Sequence, residues 1–196
     1  MFRWKATAAT FAIAALALTG CSGGGSDSGN GGDASGGTLT LGAAIEPLTL
    51  DPSGAEWGNR SPYYQAMYDT LLVATPEGTI EPWLATAWEY NEDNTVLTLT
   101  LRDDVTFSDG SEMTADVVVE NLQRFKDGTS PDASYFANVD TFEAVDAGTV
   151  AINLVAPDPS MLNYLTRDAG LVTSSEAIAA GDLATNPIGS GPYIYD

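Results

Sequence analysis

The sequence predicts a mixed α/β body, and three observations carry that prediction. Val96-Leu97-Thr98-Leu99-Thr100-Leu101 alternates apolar and polar residues, the period of a half-buried strand. Ala115 to about Lys126 repeats apolar residues at helical spacing behind Thr114, a residue type that caps helix N-termini. Between such runs stand turn clusters, Asn91-Glu92-Asp93-Asn94 and Ser108-Asp109-Gly110, which divide the chain into short elements.

The remaining elements follow in order. Thr38-Leu39-Thr40-Leu41 alternates as a strand, and Ile45 to Pro52 is an extended piece punctuated by Pro47 and Pro52. Ser61-Pro62 opens a helix, with Tyr64, Met67, Tyr68, Leu71 and Leu72 on one apolar face. Pro76-Glu77-Gly78 is a turn. Pro82 to Trp88 reads as a short, irregular, core-facing helix that buries Trp83 and Trp88. Val105-Thr106-Phe107 is a second short strand. In the helix behind Thr114, Val117, Val118, Asn121, Leu122 and Phe125 form the buried side, Asp116 suits the first turn, and Arg124 and Lys126 suit the last. Gly148 to Leu154 is a strand with Val150, Ile152 and Leu154 on one face. Ser160 starts a short helix carrying Leu162 and Leu165, and Leu171-Val172 is a brief strand. Ser174 or Ser175 caps a helix through Ala180, and Pro187 to Tyr195 is a glycine turn entering an extended stretch. No repeat of fixed period appears.

The front of the chain has a different logic. Arg3 and Lys5 precede an apolar run, Ala6 to Leu18, which ends in Leu18-Thr19-Gly20-Cys21. A positive flank, an apolar middle and small residues before a cleavage point make a secretory signal. The run is shorter than the roughly 20 apolar residues of a membrane-spanning helix. The last four residues resemble a bacterial lipobox. That resemblance implies cleavage before Cys21, diacylglycerol on its thiol, and anchorage on the extracytoplasmic face of the cell membrane. Residues 1–20 are then a lipoprotein signal peptide. Residues 21–37, almost all Gly, Ser, Asp and Asn, form a flexible tether too polar to offset its ordering entropy.

Composition excludes several classes. The 196 residues carry 27 Asp and Glu against 7 Lys and Arg, a net charge of −20, so the body repels nucleic acid and anionic headgroups. The acids are scattered, as on a solvated surface that keeps an extracellular protein soluble. With one Cys, no disulfide forms within the chain, and with no His the commonest general base is missing. Ser108 beside Asp109 has no base to complete a serine mechanism, and no carboxylate pair stands out, so no enzyme is expected. Gly189-Ser190-Gly191 lacks the Lys of a phosphate loop, and Pro192 removes an amide donor.

Six motifs in order carry a broader resemblance: Leu50-Asp51-Pro52; Tyr68-Asp69-Thr70-Leu71-Leu72; Pro82-Trp83-Leu84-Ala85-Thr86-Ala87-Trp88-Glu89; Leu101-Arg102 with Val105-Thr106-Phe107-Ser108-Asp109-Gly110; Thr114-Ala115-Asp116-Val117-Val118; and Ile188-Gly189-Ser190-Gly191-Pro192-Tyr193. Together they resemble the family-5 solute-binding proteins of ABC importers, which bind peptides, dipeptides or nickel. The resemblance implies a class II periplasmic-binding-protein-like fold. Residues 38–52 would be a first-lobe strand segment, 53–184 an insert subdomain, and 185–196 the return segment, with the second lobe missing.

The same resemblance implies a monomeric receptor that delivers peptide-like solutes to ABC permease subunits without chemistry, cofactor or metal. Another solute (a nickel chelate, haem, an oligosaccharide) or a sensing role without transport is the alternative. It places Glu56, Trp57, Gly58, Asn59 and Tyr135 at the ligand cleft, with main-chain groups of the 55–60 loop pairing an extended peptide.

Overall fold

A single helix behind Thr114 and the alternating runs beside it organise most of the body. A computed structural model describes residues 38–196, and Leu41–Asp196 pack as one unit. The expected signal peptide, Cys21 and the tether lie outside the described residues.

Four strands form an antiparallel sheet: β3 (Ala85–Tyr90), β4 (Val96–Leu101), β5 (Val139–Asp146) and β6 (Thr149–Leu154), in the spatial order β3-β4-β6-β5. The earlier strands β1 (Leu72–Ala74) and β2 (Ile80–Pro82) pair as a separate hairpin around the turn at Gly78. Strand alternation does what the pattern predicts: Leu97, Leu99 and Leu101 from β4 and Val150, Ile152 and Leu154 from β6 all point into the core.

Over this face lies α2 (Ala115–Lys126), whose Thr114 hydroxyl accepts from the Val117 amide and whose buried side is Val117, Val118, Asn121, Leu122 and Phe125, as expected. Phe125, Phe136 and Phe142 meet edge to face, with centroids 5.6 and 5.2 Å apart. Asn121 is buried, yet it satisfies itself by acting as a strand partner. Its amide donates to the carbonyls of Val117 and Thr173 at 2.8 Å each, and its oxygen accepts from the Thr173 amide at 3.1 Å.

Helix α1 (Ser61–Met67) is shorter than its apolar face suggested. Tyr68 caps it in extended conformation, and Leu72 already belongs to β1. The short α3 (Met161–Tyr164) follows Ser160, and α4 (Ser175–Ala180) is capped by Ser174, whose hydroxyl accepts from the Ala177 amide at 3.1 Å.

Several expectations change. Pro82–Trp88 is no helix. It supplies the end of β2 and the start of β3, because Trp88 opposite Leu99 and Tyr90 opposite Leu97 complete the ladder with β4. Trp83 is 48% exposed rather than core, and its indole donates to Asp69 at 2.8 Å, while Trp88 packs partly against the core. Val105–Phe107 contributes only an isolated bridge, Thr106 to Glu112, because the Asp109-Gly110 turn closes immediately after it. Leu171 likewise makes a single bridge, to Thr70. The stretches 38–41 and 192–196 find no ladder partner among the described residues, so neither forms a strand there.

The Gly-Ser-Gly turn has a steric reason. A Cβ on Gly189 would lie 2.1 Å from the Met67 carbonyl, so only glycine lets this return segment approach the end of α1. There the Gly191 and Tyr193 amides donate to Met67 and Ala66 at 3.0 and 2.9 Å, and Ser190 donates to Asp69 at 2.8 Å.

Candidate functional site

Three loops converge beside α2. The first runs from Asp51 through the 3₁₀ turns Pro52–Gly54 and Gly58–Arg60. Asp51 caps the first turn by accepting from the Ser53 amide at 2.9 Å and pairs with Arg124 of α2 at 3.0 Å. The second loop, 127–136, is held to the first because the Ser53 carbonyl accepts the amides of Thr129 and Ser130 at 3.0 and 3.1 Å. Gly128 makes that approach possible, since a Cβ there would lie 2.2 Å from the Ser53 carbonyl. The third loop follows α3 and carries Thr166, Arg167 and Asp168 into the 3₁₀ turn Asp168–Gly170.

The candidate residues are distributed unevenly over these loops. Glu56 makes an ion pair with Arg60 one turn on, and the Arg60 Nε donates to the Glu46 carbonyl at 2.9 Å. That carboxylate is therefore already partnered within the loop. Trp57 is half-buried and lines a polar cleft of about 230 Å³ with Gln65, Thr70, Val73, Ala74, Asn163, Thr166 and Arg167. Gly58 is exposed with open space around its Cα. Asn59 lies apart from Trp57's cleft, at an apolar groove lined also by Leu41, Pro62, Tyr63, Met67, Tyr193 and Ile194. Tyr135 stacks flat on Tyr164, with centroids 4.4 Å apart and planes 6° off parallel. Its hydroxyl is pushed above the ordinary phenol value, first by burial and then by Asp132, while Arg167 draws it down.

Arg167 is the residue that sequence reasoning missed. It lines Trp57's cleft and draws the Tyr135 hydroxyl down, and so links two candidates that are far apart in sequence. Among the described residues, Arg60, Arg102 and Arg124 form ion pairs with Glu56, Asp104 and Asp51, and Lys126 donates to the Val139 carbonyl at 2.6 Å. Arg167 makes no ion pair within that set and is exposed. The sequence shows only that cations are scarce, 7 against 27 acids; that one of them faces a cleft with no carboxylate in its lining appears only in the fold. What such an arrangement holds chemically is a planar anion, by paired N–H donors, beside an aromatic face.

Beneath Arg167 lies a second missed feature. Asp168 is 1% exposed, its Oδ2 accepts from the Ser130 hydroxyl at 3.4 Å, and its Oδ1 has no hydrogen-bond partner. Burial, and after it the neighbouring Asp132 carboxyl, push Asp168 up to about 7.

Comparison with known proteins gives concordant matches. The family described as bacterial extracellular solute-binding proteins, family 5 Middle, matches residues 79–196. The probable D,D-dipeptide-binding periplasmic protein DdpA of Escherichia coli is 31% identical over 169 residues, which cover 80% of this chain and 33% of DdpA. The glutathione-binding protein GsiB of Salmonella typhi is 30% identical over 152 residues, 74% of this chain and 29% of GsiB. Among solved structures, MoaA from A. tumefacien in complex with mannopinic acid aligns with a TM-score of 0.72 and 32% identity, over 79% of this chain and 33% of MoaA. The chain thus spans about a third of the length of these relatives.

Proposed function

Because the chain belongs to the bacterial extracellular solute-binding proteins of family 5, we propose that it captures a carboxylate-bearing, peptide-like solute outside the cytoplasm and presents it to an ABC permease. The carrying observation is Arg167, a cation open to Trp57's cleft among otherwise neutral lining residues. The named partners of the relatives agree in chemistry, since a dipeptide, glutathione and mannopinic acid each offer a free carboxylate.

On this reading Trp57 supplies an apolar face, Arg167 grips the carboxylate by two parallel donors, and Asn163, Thr166 and Gln65 hydrogen-bond the remainder. Tyr135, stacked on Tyr164, buttresses the guanidinium rather than meeting the solute first. Glu56 holds the loop through Arg60 instead of contacting the ligand. Residues 38–52 and 185–196 belong to a first lobe and 53–184 to its insert. Closure of a second lobe over the cleft completes the site, and the protein carries out no chemistry on what it binds. Lipid on Cys21 holds the mature protein at the membrane, within reach of the permease.

Calorimetric titration of the full-length protein with glutathione and D-alanyl-D-alanine, each against its carboxamide, tests the reading. The acids should bind and the amides should bind about tenfold or more weakly, and Arg167→Gln should cost about tenfold to a hundredfold, the range of a charge-assisted hydrogen bond. Equal binding of acid and amide, or an unaffected Arg167→Gln protein, rejects it. Mass spectrometry of the membrane-extracted protein should find diacylglycerol on an N-terminal Cys21, and an unmodified mature terminus rejects the anchor.

A further inference from the structure

Strand β1 leaves one edge open at Trp57's cleft, and the pairing register tells which backbone groups lie on it. Antiparallel pairs alternate between residues that exchange both backbone bonds and residues that exchange none. The hairpin turn fixes the phase. The Thr75 amide donates to the Thr79 carbonyl at 2.8 Å, and the Gly78 amide donates to the Thr75 carbonyl at 2.9 Å. Two residues back, Val73 therefore bonds Glu81, whereas Leu72 opposite Pro82 and Ala74 opposite Ile80 turn their N–H and C=O away from β2. Two observations agree with this phase. Pro82 has no amide to give to Leu72, and the Leu72 amide donates outward, to the Leu165 carbonyl at the end of α3, at 3.2 Å.

The Leu72 rung is closed at both groups, because its carbonyl accepts the Thr70 hydroxyl at 2.6 Å. The next outward position beyond Ala74 is Pro76, which has no N–H. Ala74 is thus an isolated open rung, exposed, and it lines the same cleft as Trp57 and Arg167. That cleft, about 230 Å³, is smaller than the roughly 300 Å³ at which pockets begin to enclose a whole small ligand, so it suits the end of one. The two hydroxyls of its lining have committed their protons, Thr70 to Leu72 and Thr166 to the Asn163 carbonyl at 2.8 Å. Neither competes with Arg167 for a carboxylate.

An open backbone rung, a neighbouring cation and room for one chain end have a common complement. We propose that the solute's main chain adds to the edge of β1 as a one-rung strand. The residue before the terminal carboxylate exchanges N–H and C=O with Ala74, while the carboxylate meets Arg167. This pairing rests on the carboxylate reading above and deepens it. A simple organic acid satisfies Arg167 but leaves Ala74 unpaired, so the site selects peptides over other carboxylates. Side chains on a strand stand out of the ladder plane, so the rung reads backbone rather than residue identity.

Calorimetric titration of the full-length protein with glutathione, and with glutathione N-methylated at the cysteine or at the glycine amide, tests the pairing. A methyl at cysteine removes the N–H that meets the Ala74 carbonyl and should weaken binding about tenfold or more. A methyl at glycine sits on a nitrogen that points away from the rung and should change affinity by less than about threefold. Ala74→Pro deletes the donor on the protein's side without touching the bonds of Val73 to β2, and should weaken glutathione about threefold to tenfold. Where that variant folds poorly, the two methylated ligands on the unmodified protein decide. Hydrogen exchange adds a direct readout. The Ala74 amide should exchange faster than that of Val73 in the free protein, and should slow about tenfold or more when glutathione saturates it. Methylation at cysteine without effect, or an Ala74 amide already protected in the free protein, overturns the pairing and leaves capture by Arg167 standing. Failure of both glutathione and D-alanyl-D-alanine to bind overturns the pairing together with the solute reading.

Discussion

On the sheet side of the unit, Leu97, Leu99, Val150 and Ile152 are completely covered by one another and by α2. On the side flanked by residues 41–50 and 193–195, Leu41, Leu48 and Ile194 are 75%, 82% and 75% exposed, and an apolar groove of about 450 Å³ lies open between Leu41, Tyr63, Met67 and Tyr193. Residues of the same type thus face opposite environments within one chain. Hydrophobicity alone does not say what a leucine contributes. Its coverage does, because the gain scales with apolar area removed from water. The three loops of the candidate site lie on the covered side, joined to α2 by Asp51–Arg124, so their geometry inherits the stiffness of the sheet.

The largest expected effect comes from the covered side. Leu99→Ala removes a fully buried side chain between β3 and β6 and should cost about 2–5 kcal/mol in urea unfolding, the cost of lost transfer plus a cavity. A cost below about 1 kcal/mol would erase the contrast between the two sides. A somewhat smaller loss, about 2–4 kcal/mol, is expected for Asn121→Leu. The apolar replacement nearly matches the volume, but it leaves the Thr173 amide and carbonyl buried without partners. Because Thr173 leads into the Ser174 cap of α4, hydrogen exchange at residues 171–180 should accelerate more than exchange in the sheet. Equal acceleration everywhere would mean that Asn121 supports the fold globally rather than this junction.

How much of this was legible differs between the two sides for the same physical reason. Where partners are near in sequence and the period is clean, the pattern suffices: Thr114 and α2, the alternation of β4 and β6, and the Ser174 cap all appear where residue chemistry placed them. Strand β5 was not anticipated, because register shifts between Val139 and Thr141 and between Ala144 and Asp146 break its alternation. Residues 82–88 were misread as a helix because nothing local announces that Trp88 will lie opposite Leu99. At the candidate site, Trp57 and Tyr135 are expected from resemblance alone. Nothing local points to Arg167 or to the buried Asp168, since the surroundings of each depend on loops more than thirty residues apart in the chain being brought together.

The smallest expected effect is the sharpest test of the comparison. Ile194→Ser replaces a large apolar residue by a small polar one, a change that would cost several kcal/mol in a core. Here the side chain is already 75% exposed, and the segment is held by backbone bonds, Tyr193 to Ala66 at 2.9 Å and Gly191 to Met67 at 3.0 Å, which the substitution does not touch. Unfolding free energy should therefore move by no more than about 0.5 kcal/mol, the ordinary range for surface substitutions. Fluorescence of an apolar dye bound in the open groove should fall, because Ile194 forms part of its wall. A loss above about 1 kcal/mol would mean that something covers the groove in solution, and coverage would then no longer separate the two sides.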